Sequence, residues 1–348
     1  MPPLKALLIS DGLPGHYHLA EGILAAIARR RPVETVRLDV RRHPWMPGRF
    51  LAALVNRGLS GGQVLRLGYG LKAGDLPAAD LIVSAGGDTL AANAAAARLL
   101  DVPNIFYGSL RRFRPEDFAL ILTSHARNAA RPRHVVTLKP SPVDPNTFAR
   151  RAAAQSEPGA AAPAIAGLLV GGNTATIRYR ARDWSLLIDF MRTLHAARGT
   201  RWIVSNSRRT PPEATDRLGR LAAEAGSPVA SFIDVRSAGP DTLSELFARA
   251  DAVMATIDSS SMVSEAVWAR RPVVAIAPAA SRLPDAEQEY RDYLAARGWA
   301  RSIAIADLTV ERVLAALVEI KPLEANPLDL LADTLCQKLP GLFEVRSQ

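Results

Sequence analysis

With 348 residues, 48% hydrophobic and 22% charged, the chain exceeds what one hydrophobic core usually supports, so its composition predicts a globular protein of two domains. One cysteine, Cys336, excludes a disulfide framework or a cysteine-based zinc site within a single chain, and no run approaches the roughly 18 apolar residues of a membrane span. The net charge of +9 lies wholly in residues 1–150, which hold 20 Lys/Arg against 11 Asp/Glu, while residues 151–348 hold 23 of each; a basic half of this kind suits an anionic partner.

The opening apolar run is too short for a signal peptide and reads as a first strand, so a cytoplasmic location is expected. Strand-like runs follow at Leu4–Ser10, Val33–Val40, Leu81–Ser84, Asn104–Tyr107, Phe118–Leu122 and His134–Leu138. Amphipathic segments such as Leu19–Arg30 and Thr89–Leu100 lie between them, the pattern of a parallel sheet covered on both faces. Residues 1–150 are thus expected to form one α/β domain, and the Pro- and Ala-rich stretch 151–163 a linker. The alternation resumes over 164–322, with strands at Ile165–Val170, Trp202–Ser205, Ser231–Val235, Ala252–Thr256 and Val273–Ala277. Helices are expected at about 183–198, 211–225, 241–249, 260–269, 285–297 and 309–319. The last segment, 323–348, carries one more helical pattern, expected to cross back onto the first domain. The fold class is therefore α/β, with two doubly wound, Rossmann-like units.

The loops after the strands carry the polar residues from which a site can be built. Ser10-Asp11-Gly12-Leu13-Pro14-Gly15-His16 follows the first strand and is not the dinucleotide fingerprint GxGxxG; a tight turn with an incidental histidine is one reading, and a cleft holding Gly15, Asp11 and His16 the other. Asp88 follows Gly86-Gly87; it either caps the next helix or serves as a general base toward a hydroxyl. In the second half, Gly171, Gly172 and Asn173 close a strand, a place where backbone N–H groups approach a diphosphate. Ser207, Arg208 and Arg209 are a basic turn or a phosphate grip. Asp258, Ser259, Ser260, Ser261 and Met262 lead from a strand into a helix, and three consecutive serines exceed what a cap needs. Glu265, about one turn inside, either completes a capping box or accepts ribose hydroxyls.

Other features narrow the function. There is no Asp-x-Asp pair, no His-x-x-x-His spacing and no P-loop, so the expectation is no metal and no cofactor. Between Arg29 and Arg57 stand eight arginines and two acids. Arg41, Arg42, Trp45, Arg49 and Phe50 there, with Arg111 and Arg112 later, mix cations and apolar rings as an anionic membrane surface or an anionic acceptor requires; Pro44 and Pro47 are expected to interrupt any helix. No helix-turn-helix, zinc finger or stacked-aromatic signature accompanies them, so nucleic acid is not an expected partner.

The segments Ser10–His16, Ser207–Pro211 and Asp258–Ala266 resemble, in this order, the mitochondrial-fission-like family, whose bacterial members are grouped with GT-B glycosyltransferases. The resemblance implies two Rossmann-like domains facing across a cleft. The N-terminal one would bind a lipid-linked or envelope-glycan acceptor and the C-terminal one a nucleotide sugar. It places His16 in the acceptor loop and Glu265 on the ribose. The chain departs from the family after Gly172, where Asn173-Thr174-Ala175-Thr176-Ile177 replaces a stretch with Lys or His. The expected activity is metal-independent glycosyl transfer from a nucleoside-diphosphate sugar, at the inner membrane face. Asp88 or His16 would be the base, with Asp11 the weaker candidate. A sugar-nucleotide epimerase and a non-catalytic peripheral adaptor, as the plant relative's role in organelle division suggests, are the alternatives.

Overall fold

The computed structural model describes residues 2–148, 162–238 and 242–344; the expected linker, except for Ala162 and Pro163, lies outside them. The chain divides into two compact units, Met1–Val143 with Pro327–Gln348, and Asp144–Asn326.

The first unit runs β1 (Leu4–Ser10), α1 (Pro14–Ala28), β2 (Val33–Asp39), α2 (Gly48–Asn56), α3 (Gly61–Tyr69), β3 (Leu81–Ala85), α4 (Leu90–Leu100), β4 (Asn104–Tyr107), β5 (Leu120–Thr123) and β6 (His134–Val136). Its six strands are parallel, in the order β2-β1-β3-β4-β5-β6. Strands β3, β4 and β5 are buried throughout, which is why they appear as unbroken apolar runs, whereas edge strand β2 is mostly exposed. Pro14, at the first helical position, starts α1, and Ala20, Ile23, Leu24 and Ile27 form its buried stripe.

Helices α2 and α3 were not expected from the sequence. Pro44 and Pro47 do not break a helix; Pro47 is the cap residue of α2, because proline is tolerated where no N–H is required. Ser60 and Gln63 close a capping box on α3, and Gly70 ends it with φ 72°. Strand β5 begins two residues later than expected, because Pro115–Asp117 forms a single helical turn just ahead of it.

The second unit runs β7 (Ile165–Leu169), β8 (Ile177–Arg178), α5 (Ala181–Arg198), β9 (Arg201–Ser205), α6 (Pro212–Ala223), β10 (Val229–Ile233), α7 (Thr242–Arg249), β11 (Ala252–Thr256), α8 (Ser260–Trp268), β12 (Val273–Ala277), β13 (Ala280–Ser281), α9 (Asp285–Ala296), β14 (Ala300–Ala304) and α10 (Val310–Glu319). Its main sheet is parallel, in the order β10-β9-β7-β11-β12-β14; β8 and β13 pair antiparallel as a small ribbon. Strand β10 lies two residues earlier than expected, which releases Asp234 and Val235 into the following loop. Strand β14 was missed because its mixed, partly exposed residues form no apolar run.

The final helix, α11 (Pro327–Lys338), belongs to the first unit. Leu328, Leu331 and Leu335 are buried, each worth about 2 kcal/mol. Arg29 at the end of α1 holds Asp329 through Nε–Oδ1 (2.8 Å) and Nη2–Oδ2 (3.2 Å), and Arg30 reaches Asp333 at 2.7 Å. Just before α11, Asn326 donates to Asp144 Oδ1 at 2.7 Å, tying together residues 182 apart in sequence.

Candidate functional site

In a doubly wound sheet ligands bind beyond the carboxyl ends of the strands, where the strand order reverses. That point falls between β1 and β3 in the first unit and between β7 and β11 in the second. Four of the polar loops singled out in the sequence follow these four strands, and the Ser207–Arg209 turn follows β9, the neighbour of β7.

In the first unit the β1–α1 loop places His16 Nδ1 2.7 Å from Asp11 Oδ2. The Asp11 side chain is 7% exposed and that of His16 37%. Facing a carboxylate, Nδ1 carries the proton, so Nε2 is the basic nitrogen. Asp11 also accepts the Leu13 N–H at 3.2 Å, and Ser10 Oγ the Gly12 N–H at 2.9 Å, which fixes the loop. Gly86, after β3, has φ 95°, and a Cβ there would overlap the His16 ring and crowd Asp11. Gly15 has open space beside it.

Asp88 is not the cap of α4. Thr89 occupies that position, and its hydroxyl bonds Ser84 Oγ and the carbonyls of Ala85 and Gly86. The Asp88 carboxylate instead receives Arg42 Nε at 3.0 Å, and its carbonyl accepts the Tyr69 hydroxyl at 2.7 Å. Arg111, held at φ 54°, lays its guanidinium where a Gly87 side chain would be. Arg112 is exposed and its carbonyl accepts from Asn56. Arg41 is exposed; Trp45 stacks on His43 and is 65% exposed, and Arg49 lies over the ring of Phe50, itself 54% exposed.

In the second unit the organising group is Asp258. Its carboxylate, fully buried, accepts the Gly172 N–H (3.0 Å), Arg209 Nη2 (2.8 Å) and the Tyr179 hydroxyl (3.2 Å). Burial and the Asp258 charge push the Tyr179 hydroxyl pKa far up, so it remains a donor. Gly171 donates to Thr256 Oγ1 at 2.7 Å, and side chains at Gly171 or Gly172 would collide with Asp258 or the Arg209 carbonyl. Asn173 spends its Oδ1 on the Tyr179 N–H, and Ser207 Oγ faces Thr210 Oγ1 and accepts the Arg209 N–H. These two side chains therefore shape loops. Arg208 is exposed and makes no ion pair among the described residues.

Ser259 caps α8, its Oγ accepting the Met262 N–H at 3.4 Å and lying 3.2 Å from Ser261 Oγ. Ser260 and Ser261 are the first helical residues, where N–H groups lack helical partners and the dipole favours an anion. Met262, half-buried, stands in the third position, so Glu265 does not complete a capping box. Its carboxyl finds no hydrogen-bond partner among the described residues. It keeps some solvent access, yet the atoms packed around it push its pKa up to about 7.

Sequence reasoning missed three features. A cavity of about 460 Å³ at the carboxyl end of β10 is lined by Ser231, Phe232, Ile233, Asp234, Ser237, Ala238 and Glu245. There Asn206 donates to Asp234 at 2.9 Å and, with the Arg236 N–H, holds its carboxyl below the usual range. A second cavity, about 310 Å³, opens beside Arg180 and Arg182 at the start of α5. Arg291, on α9, is buried against the β11–α8 turn and donates to the Ile257 carbonyl at 3.0 Å. Among the described residues no three His, Cys, Asp or Glu side chains cluster as a metal site requires, and no helix is long and apolar enough to cross a membrane.

Two Rossmann-like units, each with a polar loop cluster at its switch point, define a GT-B fold. The chain belongs to the mitochondrial fission ELM1 family, whose pattern matches residues 14–330. Its fold is similar to that of MurG from Acinetobacter baumannii (12% identity, 97% of this chain and 100% of that one, TM-score 0.52). It is also similar to MnaA of S. aureus, solved with UDP (11%, 98% and 98%, TM-score 0.52), and to UDP-GlcNAc 2-epimerase from Methanocaldococcus jannaschii (12%, 97% and 99%, TM-score 0.53). At these identities the likeness shows the fold alone. No curated protein sequence matches the chain.

Proposed function

We propose that this protein is a metal-independent glycosyltransferase, its second unit binding a nucleoside-diphosphate sugar and its first presenting an acceptor hydroxyl to His16. The observation that carries this reading is the His16–Asp11 pair, at 2.7 Å, with Gly86 kept bare beside it. A binding module has no use for an imidazole whose tautomer is set by a buried carboxylate; a general base does. Nε2 takes the proton of the acceptor hydroxyl as its oxygen attacks the anomeric carbon, and the nucleoside diphosphate departs. N–H groups at the start of α8 and beside Gly172, with Arg208 and Arg209, stabilise the charge left on the diphosphate. Glu265 accepts the ribose hydroxyls, and the cavity at the end of β10 takes the base. Asp88, already paired with Arg42, positions that arginine and is not the base.

The basic first half suits a lipid-linked or envelope-glycan acceptor, with Arg41, Arg49, Trp45 and Phe50 resting on the anionic inner face of a cytoplasmic membrane. Co-sedimentation with phosphatidylglycerol vesicles, lost in Trp45→Ala with Arg49→Glu, tests that placement; equal sedimentation of wild type and variant rejects it.

Calorimetry and thermal shift against nucleoside diphosphates and their sugar conjugates, without metal, test the activity. Binding of one nucleotide that is lost in Glu265→Ala, with donor consumed only when an acceptor is present and not by His16→Ala, supports the proposal. Isomerisation of the donor without acceptor points to an epimerase. Absence of any nucleotide binding leaves the adaptor reading.

A further inference from the structure

The loop that closes the cavity at the carboxyl end of β10 has spent its donors. The Val235 N–H goes to Asn206 Oδ1 (2.9 Å), the Arg236 N–H to Asp234 Oδ1 (3.1 Å), and the Ser237 and Ala238 N–H groups to the Asp234 carbonyl (3.0 and 2.8 Å). Asn206, buried just past β9, donates its amide to Asp234 Oδ1 (2.9 Å) and Thr215 Oγ1 (3.3 Å). What remains is an acceptor. Asn206 and Arg236 fill both lone pairs of Asp234 Oδ1, so Oδ2 keeps its two open, with no hydrogen bond or ion pair among the described residues. The same two bonds hold the carboxyl ionised at neutral pH. The other carboxylate on the cavity wall, Glu245, is already paired with Arg249 at 2.7 Å. This wall is tied to the phosphate-facing loops: Arg236 Nη2 donates to the Thr210 carbonyl (3.0 Å), and Thr210 Oγ1 to the Val170 carbonyl at the end of β7 (2.8 Å).

We infer that this cavity selects guanine among the nucleoside bases, with Asp234 as the residue that sets the specificity. This rests on the donor-site reading above and names the base that reading left open. A base taken into a protein pocket is read by hydrogen bonds along its Watson–Crick edge. On guanine, N1–H and the 2-amino group are adjacent donors, and Asp234 Oδ2 offers them its two lone pairs while Phe232 walls the ring. Uracil flanks its single ring N–H with two carbonyl oxygens. It would bring oxygen against an anionic oxygen, and the N–H groups of residues 235–238 are already engaged. Adenine and cytosine carry an amino group but set a ring-nitrogen acceptor beside it, where its lone pair faces the carboxylate.

The test is calorimetry on the full chain with the diphosphates of guanosine, uridine, adenosine, cytidine and inosine, and with guanosine alone. GDP is expected to bind on the order of tenfold more tightly than UDP, ADP or CDP, as gain of a charge-assisted contact does. Inosine diphosphate, which keeps N1–H and lacks the 2-amino group, is expected to bind several-fold more weakly than GDP. Asp234→Asn keeps an oxygen for Asn206 and the Arg236 N–H but turns Oδ2 into an N–H donor. It is therefore expected to lose the preference for GDP and to bind UDP at least as well, with little change in Tm. Should that variant fail to fold, the comparison of GDP with inosine diphosphate on the wild type carries the test. UDP, ADP, CDP or inosine diphosphate bound as tightly as GDP overturns the inference and leaves the donor reading in place, as does a preference for GDP that survives in folded Asp234→Asn. Guanosine bound as tightly as GDP, with the same dependence on Asp234, upholds the guanine pocket and removes the donor reading. Absence of binding by all of these ligands overturns both.

Discussion

His16 stands where the side chain of Gly86 would be. The imidazole reaches across from the loop after β1 to the loop after β3, and Gly86, at φ 95°, leaves room for its Nδ1 edge, which Asp11 holds. Gly86→Ala therefore acts on the imidazole before it acts on the fold. We expect it to displace His16 from Asp11 and to lower glycosyl transfer roughly 10²-fold, the lower end of what a general base supplies, while nucleotide affinity stays at the wild-type value. The strain of a left-handed alanine adds about 1–2 kcal/mol of destabilisation. Paired measurements of transfer rate and nucleotide affinity check this; equal losses in both would place His16 outside the chemistry.

Asp88 and His16 separate as candidates for the base. The Asp88–Arg42 pair is half-exposed, with side chains 48% and 24% accessible, so Asp88→Asn should cost no more than about 1 kcal/mol of stability. Its effect on transfer should stay under roughly tenfold, against a far larger loss in His16→Ala. A denaturant melt and a transfer assay on the two variants give the comparison.

Glu265 gives a pH signature. Its carboxyl titrates near 7 when folded, above its ordinary value, so the folded chain holds the proton more tightly than the unfolded one. The stability this contributes is fully present below about pH 4 and is lost as pH rises through 7. Glu265→Gln should accordingly stabilise the ligand-free protein at pH 8, by on the order of 1–2 kcal/mol after allowance for the remaining solvent access, and change little at pH 4. Because ribose hydroxyls favour the ionised carboxylate, nucleotide affinity should fall as pH drops below 7, by up to about tenfold per unit, and be flat over that range in the variant. Thermal melts and titrations at pH 5, 7 and 8 read both effects.

The clasp of α11 on α1 predicts a stability effect far from either loop cluster. Arg29 holds the Asp329 carboxyl below its ordinary range, a stabilisation present above the unfolded value and lost as pH falls through the folded one. Asp329→Asn should cost about 1 kcal/mol at neutral pH and nothing in acid, since both side chains are roughly two-thirds covered and salt screens the pair in part. Urea melts at neutral and acid pH distinguish this from a loss of packing, which would persist at both.

Much of the architecture was written locally in the chain. Continuous apolar runs located β1, β4, β11 and β12 to the residue, because strands buried on both faces need such runs; the loops after β1, β3, β7 and β11 stood out because glycines and hydroxyls interrupt them. The same logic explains what was missed: edge strand β14 is half-wet and mixes Arg301 and Ser302 with small and apolar residues, and α2 lies behind two prolines that served as its entry. The positions of Asp11, His16, Asp258 and Glu265 just past strand ends were likewise readable, since each follows a strand that ends at a turn. Their partners were not. Strand order alone sets β1 beside β3 and β7 beside β11, and so brings His16 to Gly86, Arg42 to Asp88 and Gly172 to Asp258 across 46 to 86 residues of sequence. Whether Glu265 completes a cap or stays unpartnered, and whether Arg291 is a solvated surface charge or a buried one, depends on what other elements pack against them. Periodicity reports which face of an element is buried; only the tertiary structure decides what lies on the other side.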